Sequence, residues 1–148
     1  MSCRDVWPPV GAATTTCELR VPFFDTDAMR VVHHANYVKY LELARVQLLD
    51  EHHRPYTEYV AEGLHFAVTR VELDYHQAAR FDDRIAVTAW LRWVRGASLG
   101  VGYAIARGDE LLVSGSTEHV LVDEKGRPRR LPKLQRAELA GLVAPQSG

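Results

Sequence analysis

Two aspartates and two histidines, Asp25, Asp27, His33 and His34, fall inside one short stretch, FFDTDAMRVVHHANY, residues 23–37. Carboxylates and imidazoles are the side chains that most often move protons in catalysis. What they can do depends on what surrounds them. Ahead of them, Glu18-Leu19-Arg20-Val21 alternates polar and apolar, a strand pattern. Behind them, Tyr37, Leu41, Ala44 and Leu48 recur at helical spacing, and Tyr40 widens the stripe. The aspartates are thus predicted in a strand-to-helix loop, with the histidines where the helix opens. A helix opening carries free backbone N–H groups and a positive partial charge. A carboxylate beside it suits chemistry on a carbonyl: the amides polarise the oxygen, and the acid attacks the carbon or activates water. The plainer alternative is a capping carboxylate that only neutralises the helix end. No metal site is expected. The spacing matches no standard zinc pattern, and neighbouring histidines converge poorly.

The elements that must hold this stretch follow from the periodicity. A first strand is expected over 18–24, with Pro22 marking an edge position or a bulge. The long helix is expected over 35–50, with Asn36 as N-cap and Glu42 and Arg45 pairing on its wet face. Pro55 blocks its continuation. A short helical piece over 56–61 ends at Gly63. Four strands follow, over 66–75, 85–93, 98–106 and 111–122, with short breaks that imply antiparallel hairpins. A weak helical tail over 133–142 closes the chain. Residues 1–16, with Pro8-Pro9, Gly11 and a threonine run, read as a disordered lead-in, leaving 17–143 as one domain. A single apolar helix beside a strand meander must be covered by the sheet, so the class is α+β.

Composition narrows the partners. The chain has 148 residues, 47% apolar, with a formal charge of −1. That suffices for one core and supplies no global field to recruit nucleic acid. No apolar run approaches the roughly 20 residues of a membrane span, and the N-terminal residues lack the apolar core of a signal peptide. The expected location is cytoplasmic. Cys3 and Cys17 make neither a disulfide framework nor a zinc site.

Asp25-Thr26-Asp27-Ala28, Val31-Val32 and His34-Ala35-Asn36-Tyr37 closely resemble the signature of the 4-hydroxybenzoyl-CoA thioesterase family of hotdog-fold proteins. The resemblance is nearest to the bacterial acyl-CoA thioesterases encoded with the Tol–Pal envelope system. Residues 71–83 and Arg95-Gly96-Ala97-Ser98-Leu99 are similar to later blocks of that family in the same order, so the resemblance spans about 18–132. It implies a hotdog fold, a curled antiparallel sheet wrapped around one long central helix. The implied reaction is hydrolysis of an acyl-CoA thioester, without a cofactor. Asp27 matches the family's catalytic acid, as general base or nucleophile, while Asp25 fixes the loop. His34 stands where a backbone N–H holds the thioester carbonyl, and one such donor contributes ~3 kcal/mol. Asn36 and Tyr37 complete the motif and are expected at the substrate site, Asn36 holding the turn and Tyr37 packing beneath it. Arg95 and Arg129 are the expected phosphate partners, with Arg92, Arg127 and Arg130 as further cations. One departure stands out: Arg30 occupies a position that is usually glycine. A homodimer or homotetramer is expected, since a curled sheet leaves edges to cover. An acyl carrier protein in place of CoA, a dehydratase, and a non-catalytic thioester-binding protein are the competing readings.

Overall fold

The computed structural model describes residues 6–145. Cys3 and the first five residues of the expected lead-in lie outside them. The chain forms β1 (Thr14–Arg20), α1 (Tyr37–His52), α2 (Tyr56–Ala61), β2 (His65–Tyr75), β3 (Arg84–Arg95), β4 (Ser98–Arg107), β5 (Glu110–Val122) and α3 (Lys133–Ala140). All five strands belong to one antiparallel sheet in the order β1-β3-β4-β5-β2. Leu41, Ala44, Leu48 and Leu49 of α1 are buried with Val87, Ala89 and Leu91 of β3 and Leu99, Val101 and Ile105 of β4. Each fully buried aliphatic side chain contributes about 1.5–3 kcal/mol. The helix lies on the concave face of a sheet that curls around it, which is the hotdog architecture.

Two expectations shift. β1 starts at Thr14, so Thr14, Thr15 and Thr16 belong to the sheet, opposite Trp90, Ala89 and Thr88. Their β-branched side chains suit a pleated surface, and a compositional reading as loop missed that. The strand also stops at Arg20, ahead of Pro22. Pro22 has no N–H for the ladder, and Phe23–Asp25 coil into a single 3-10 turn instead.

Close approach makes several glycines obligatory. On β4, a Cβ at Gly100 would meet the Trp93 ring at 2.5 Å, and one at Gly102 the Trp90 ring at 2.6 Å. Gly115, opposite Leu73 on β2, is tighter: its Cβ would lie 2.1 Å from the Glu72 carbonyl oxygen. Gly115→Ala is therefore expected to lower unfolding free energy by about 2–3 kcal/mol, read from the urea midpoint.

β2 ends the sheet with one edge unpaired along 11 residues. Its register against β5 turns Val68, Val71, Leu73 and Tyr75 to the helix side, opposite His119, Thr117, Gly115 and Val113. Val68, Val71 and Tyr75 remain exposed on that face.

Candidate functional site

The loop between β1 and α1 is held from beneath by Asp25. Its side chain is buried; Oδ1 accepts from Lys39 Nζ at 2.5 Å and Oδ2 from the Tyr40 hydroxyl at 2.7 Å. Its carbonyl accepts from the His33 N–H at 3.0 Å and from Asn36 Nδ2 at 2.8 Å. Burial pushes the Asp25 carboxyl up, but the Lys39 and Tyr40 hydrogen bonds together outweigh it and hold the group below the usual carboxylate range. The stabilisation is complete above that range and is lost as the pH falls through the lower folded-state value.

Asp27 sits two residues further, at the tip. Its N–H donates to the Val31 carbonyl and the Arg30 N–H donates to the Asp27 carbonyl, both at 2.9 Å. Oδ1 accepts from the Met29 N–H at 2.8 Å. The carboxylate is exposed, and among the described residues no donor meets its other oxygen. Arg30 closes this turn at φ 65°. The backbone thus keeps the left-handed conformation that glycine would adopt at no cost, and Arg30 bears the strain. Arg30→Gly is expected to raise stability by ~1 kcal/mol, seen as a higher melting temperature without loss of secondary structure.

The helix mouth lies beside this turn. Asn36 stands at the N-cap of α1 but makes no side-chain capping bond, and His33 caps the 3-10 turn ahead of it: His33 Nδ1 accepts from the Ala35 N–H at 3.1 Å and its carbonyl from the Asn36 N–H at 2.9 Å. His34–Asn36 form a 3-10 turn that runs into α1. Among the described residues no acceptor meets the His34 N–H. The two imidazoles stack with centroids 4.2 Å apart instead of converging on one point. Tyr75, at the far end of β2, donates its hydroxyl to the His34 carbonyl at 2.9 Å and packs edge-on against Tyr37. Tyr37 is buried, and its hydroxyl accepts from the Ala79 N–H at 3.0 Å. Asn36 Nδ2 and the Tyr37 hydroxyl are engaged by the protein's own backbone, so both side chains brace the frame of the mouth. Sequence reasoning missed Tyr75, Lys39 and Tyr40. Tyr75 has no local signal, since its role exists only once β2 folds back beside the helix opening.

Asp27 and His34 share one end of the sheet, with no hydrogen bond between them. Arg95 and Arg129 lie at the opposite end. Arg95 closes β3 with its guanidinium 4.7 Å from the Trp93 ring centroid, and the Leu131 N–H on the Gly96 carbonyl ties the 129–131 segment to the same hairpin. Arg129 Nε donates to Asp123 Oδ2 at 3.2 Å, and Arg127 Nε to the same oxygen at 3.1 Å. The Arg127 backbone N–H is the main cause holding the Asp123 carboxyl below its usual range. Asp123, Arg127 and Arg129, with Lys125, Glu62 and Glu124, line a cleft of about 340 Å³ at the start of β2, where three cations face three carboxylates. The length of β2 separates that cleft from the Asp27 turn by roughly 33 Å at 3.3 Å per residue, too far for one substrate to bridge within a protomer.

Comparison with known proteins decides the family. Residues 21–140 match the model of the thioesterase-like superfamily. The chain is 36% identical over 117 residues to the acyl-CoA thioester hydrolase YbgC of Escherichia coli O6:H1, covering 78% of this chain and 87% of that one. This chain belongs to the thioesterase-like superfamily. Membership makes thioester hydrolysis its reaction class. The hypothetical protein TT1821 of Thermus thermophilus superposes with a TM-score of 0.83 at 31% identity, over 89% of this chain and 99% of that one. The DHNA-CoA thioesterase of Staphylococcus aureus does so with a TM-score of 0.78 at 25% identity, over 80% and 81%. The fold, the family and the reaction class implied by the DTDA and HANY motifs stand. Among the described residues no helix is long and apolar enough to cross a membrane.

Proposed function

We propose that this protein hydrolyses acyl-CoA thioesters at the mouth of α1. The observation that carries the reading is the unpaired His34 N–H at the start of a long helix, on the same loop system as the Asp27 carboxylate. The carbonyl oxygen of the thioester rests on that amide, where the helix end favours developing negative charge. Asp27, through the oxygen that Met29 leaves free, takes a proton from water. The water oxygen attacks the carbonyl carbon, the C–S bond breaks, and the thiolate leaves to be protonated as free CoA. Direct attack by Asp27, giving a mixed anhydride, is the alternative route. Lys39, Tyr40, Asn36, Tyr37 and Tyr75 are positioning residues.

The distant arginines acquire a role in a dimer. The open edge of β2 is matched by a second copy running antiparallel about a two-fold axis. That pairing sets the start of the partner's β2 beside the Tyr75 end of this one. Arg127 and Arg129 of one protomer then stand near Asp27 of the other, and their free guanidinium nitrogens suit the phosphates of CoA. Arg95, on the same end, is a further cation for that anion. Release of free thiol from a panel of acyl-CoAs tests the reading; no thioester cleaved above background would end it. Equal chains offered on CoA and on an acyl carrier protein distinguish the two carriers.

A further inference from the structure

Arg30 stands where the thioesterase motif usually has glycine, and its φ of 65° keeps the backbone that glycine would adopt. The turn around it is laced on both sides. Thr26 bridges Val32, and Val31 bridges Arg80 on the segment ahead of β3. The left-handed conformation is therefore built into the loop, and a residue with a Cβ bears its cost. No packing inside the protein offsets that cost, because the Arg30 side chain is exposed. Backbone strain of this kind clusters at active sites and ligand clamps.

The charges around the turn supply the second observation. Lys39 pairs with Asp25, Arg20 with Asp82, and Arg107 with Asp83 and Glu110. Asp83 also accepts the Arg80 N–H at 2.8 Å. Arg30 and Arg80 are left over. Both are exposed, and among the described residues neither guanidinium pairs with a carboxylate. The isolated bridge sets Arg80 opposite Val31, one residue from Arg30. Two neighbouring cations without an acid make a positive spot on the turn that carries Asp27.

That spot answers a problem of the mouth. The Asp27 carboxylate repels a substrate that is itself an anion. A guanidinium three residues away offsets the repulsion, and its fork of N–H donors matches two oxygens of one oxyanion. Being exposed, Arg30 meets such a group without any opening of the core.

We propose that Arg30 holds an oxyanion of the substrate, a carboxylate at the end of the acyl group or a phosphate of CoA, and so decides which thioesters are cleaved fastest. The inference rests on thioester hydrolysis beside Asp27. It gives the strained turn a reason: the glycine variant, expected to be the more stable protein, should be the less selective enzyme.

The test measures kcat/KM for four thioesters. One medium-length acyl group is offered with and without a terminal carboxylate, each on CoA and on pantetheine, which lacks phosphates. The ratio within a carrier reads the carboxylate, and the ratio between carriers reads the phosphates. Arg30→Gly removes both the charge and the strain, Arg30→Gln removes only the charge, and Arg30→Lys keeps both. In the glycine and glutamine variants at least one ratio should fall by about 10–100-fold, the size of one charge-assisted contact, mainly through KM. Arg30→Lys should retain most of it. Which ratio falls identifies the source of the oxyanion. Thermal melts show that each variant is folded, and only Arg30→Gly should melt above wild type. A fall in Arg30→Gly without one in Arg30→Gln would trace the effect to the backbone and overturn the proposal. Losses equal across all four thioesters, or no loss on any, would leave both ratios unchanged and overturn it too. Cleavage of none of the four by wild type would instead end the hydrolase reading, and this inference with it.

Discussion

Replacing Asp27 by Asn should leave a folded protein whose kcat on acyl-CoA is at least about a thousandfold lower. The side chains are isosteric, and the amide oxygen can still accept from the Met29 N–H, so the turn survives. Asp27 is exposed, so stability should stay within about 0.5 kcal/mol of the parent. What the variant loses is the basic oxygen. Binding should persist, because the proposed contacts of the substrate, its carbonyl on the His34 amide and its phosphates on arginines, do not involve the Asp27 side chain. Steady-state kinetics with a thermal melt on the same sample make the check. Turnover within tenfold of wild type would assign the chemistry elsewhere.

Mixing two impaired proteins should restore activity. One carries Asp27→Asn. The other carries Arg127→Ala and Arg129→Ala, which removes two charge-assisted contacts and should depress kcat/KM by about 10–100-fold or more. In a heterodimer with sites shared across the β2 edges, one site collects both lesions and the other has none. Random pairing makes half the dimers mixed, so about a quarter of wild-type kcat/KM should return. Sites confined to one protomer would return nothing beyond the average of the two variants. The measurement is co-refolding or co-expression followed by assay below KM, with each variant alone as reference.

The sequence made the fold and the loop legible for different reasons. The helix stripe of Leu41, Ala44 and Leu48 and the hairpin breaks after β2 carry strong periodic signals, and those elements sit where the periods put them. The lead-in failed at Thr14, Thr15 and Thr16 because composition outweighed β-branching, and their pairing with β3 is non-local. At the site, DTDA and HANY identified the turn and the mouth. They did not reveal which polar groups the frame itself uses. Asn36 and Tyr37 carry motif positions, yet their partners, the Asp25 and Ala79 backbone, come from one loop and from a segment past β2. Arg45 was unreadable for the opposite reason. At i+3 from Glu42 it imitates a surface pair, and only the Tyr103 hydroxyl across the core explains its burial.

The glycines of β4 have an optical consequence. They allow the Trp90 and Trp93 indoles to lie flat against the outer surface of the sheet, Trp90 almost wholly shielded and Trp93 with a guanidinium over its ring. The third tryptophan, Trp7, is 43% exposed and distant in sequence from both. Indole emission responds to the polarity and charge around the ring. Trp90 therefore supplies a blue-shifted signal for the integrity of the sheet. Trp93 supplies one for whatever displaces Arg95, so an adenine nucleotide docking at that end should quench it in a titration that needs no label.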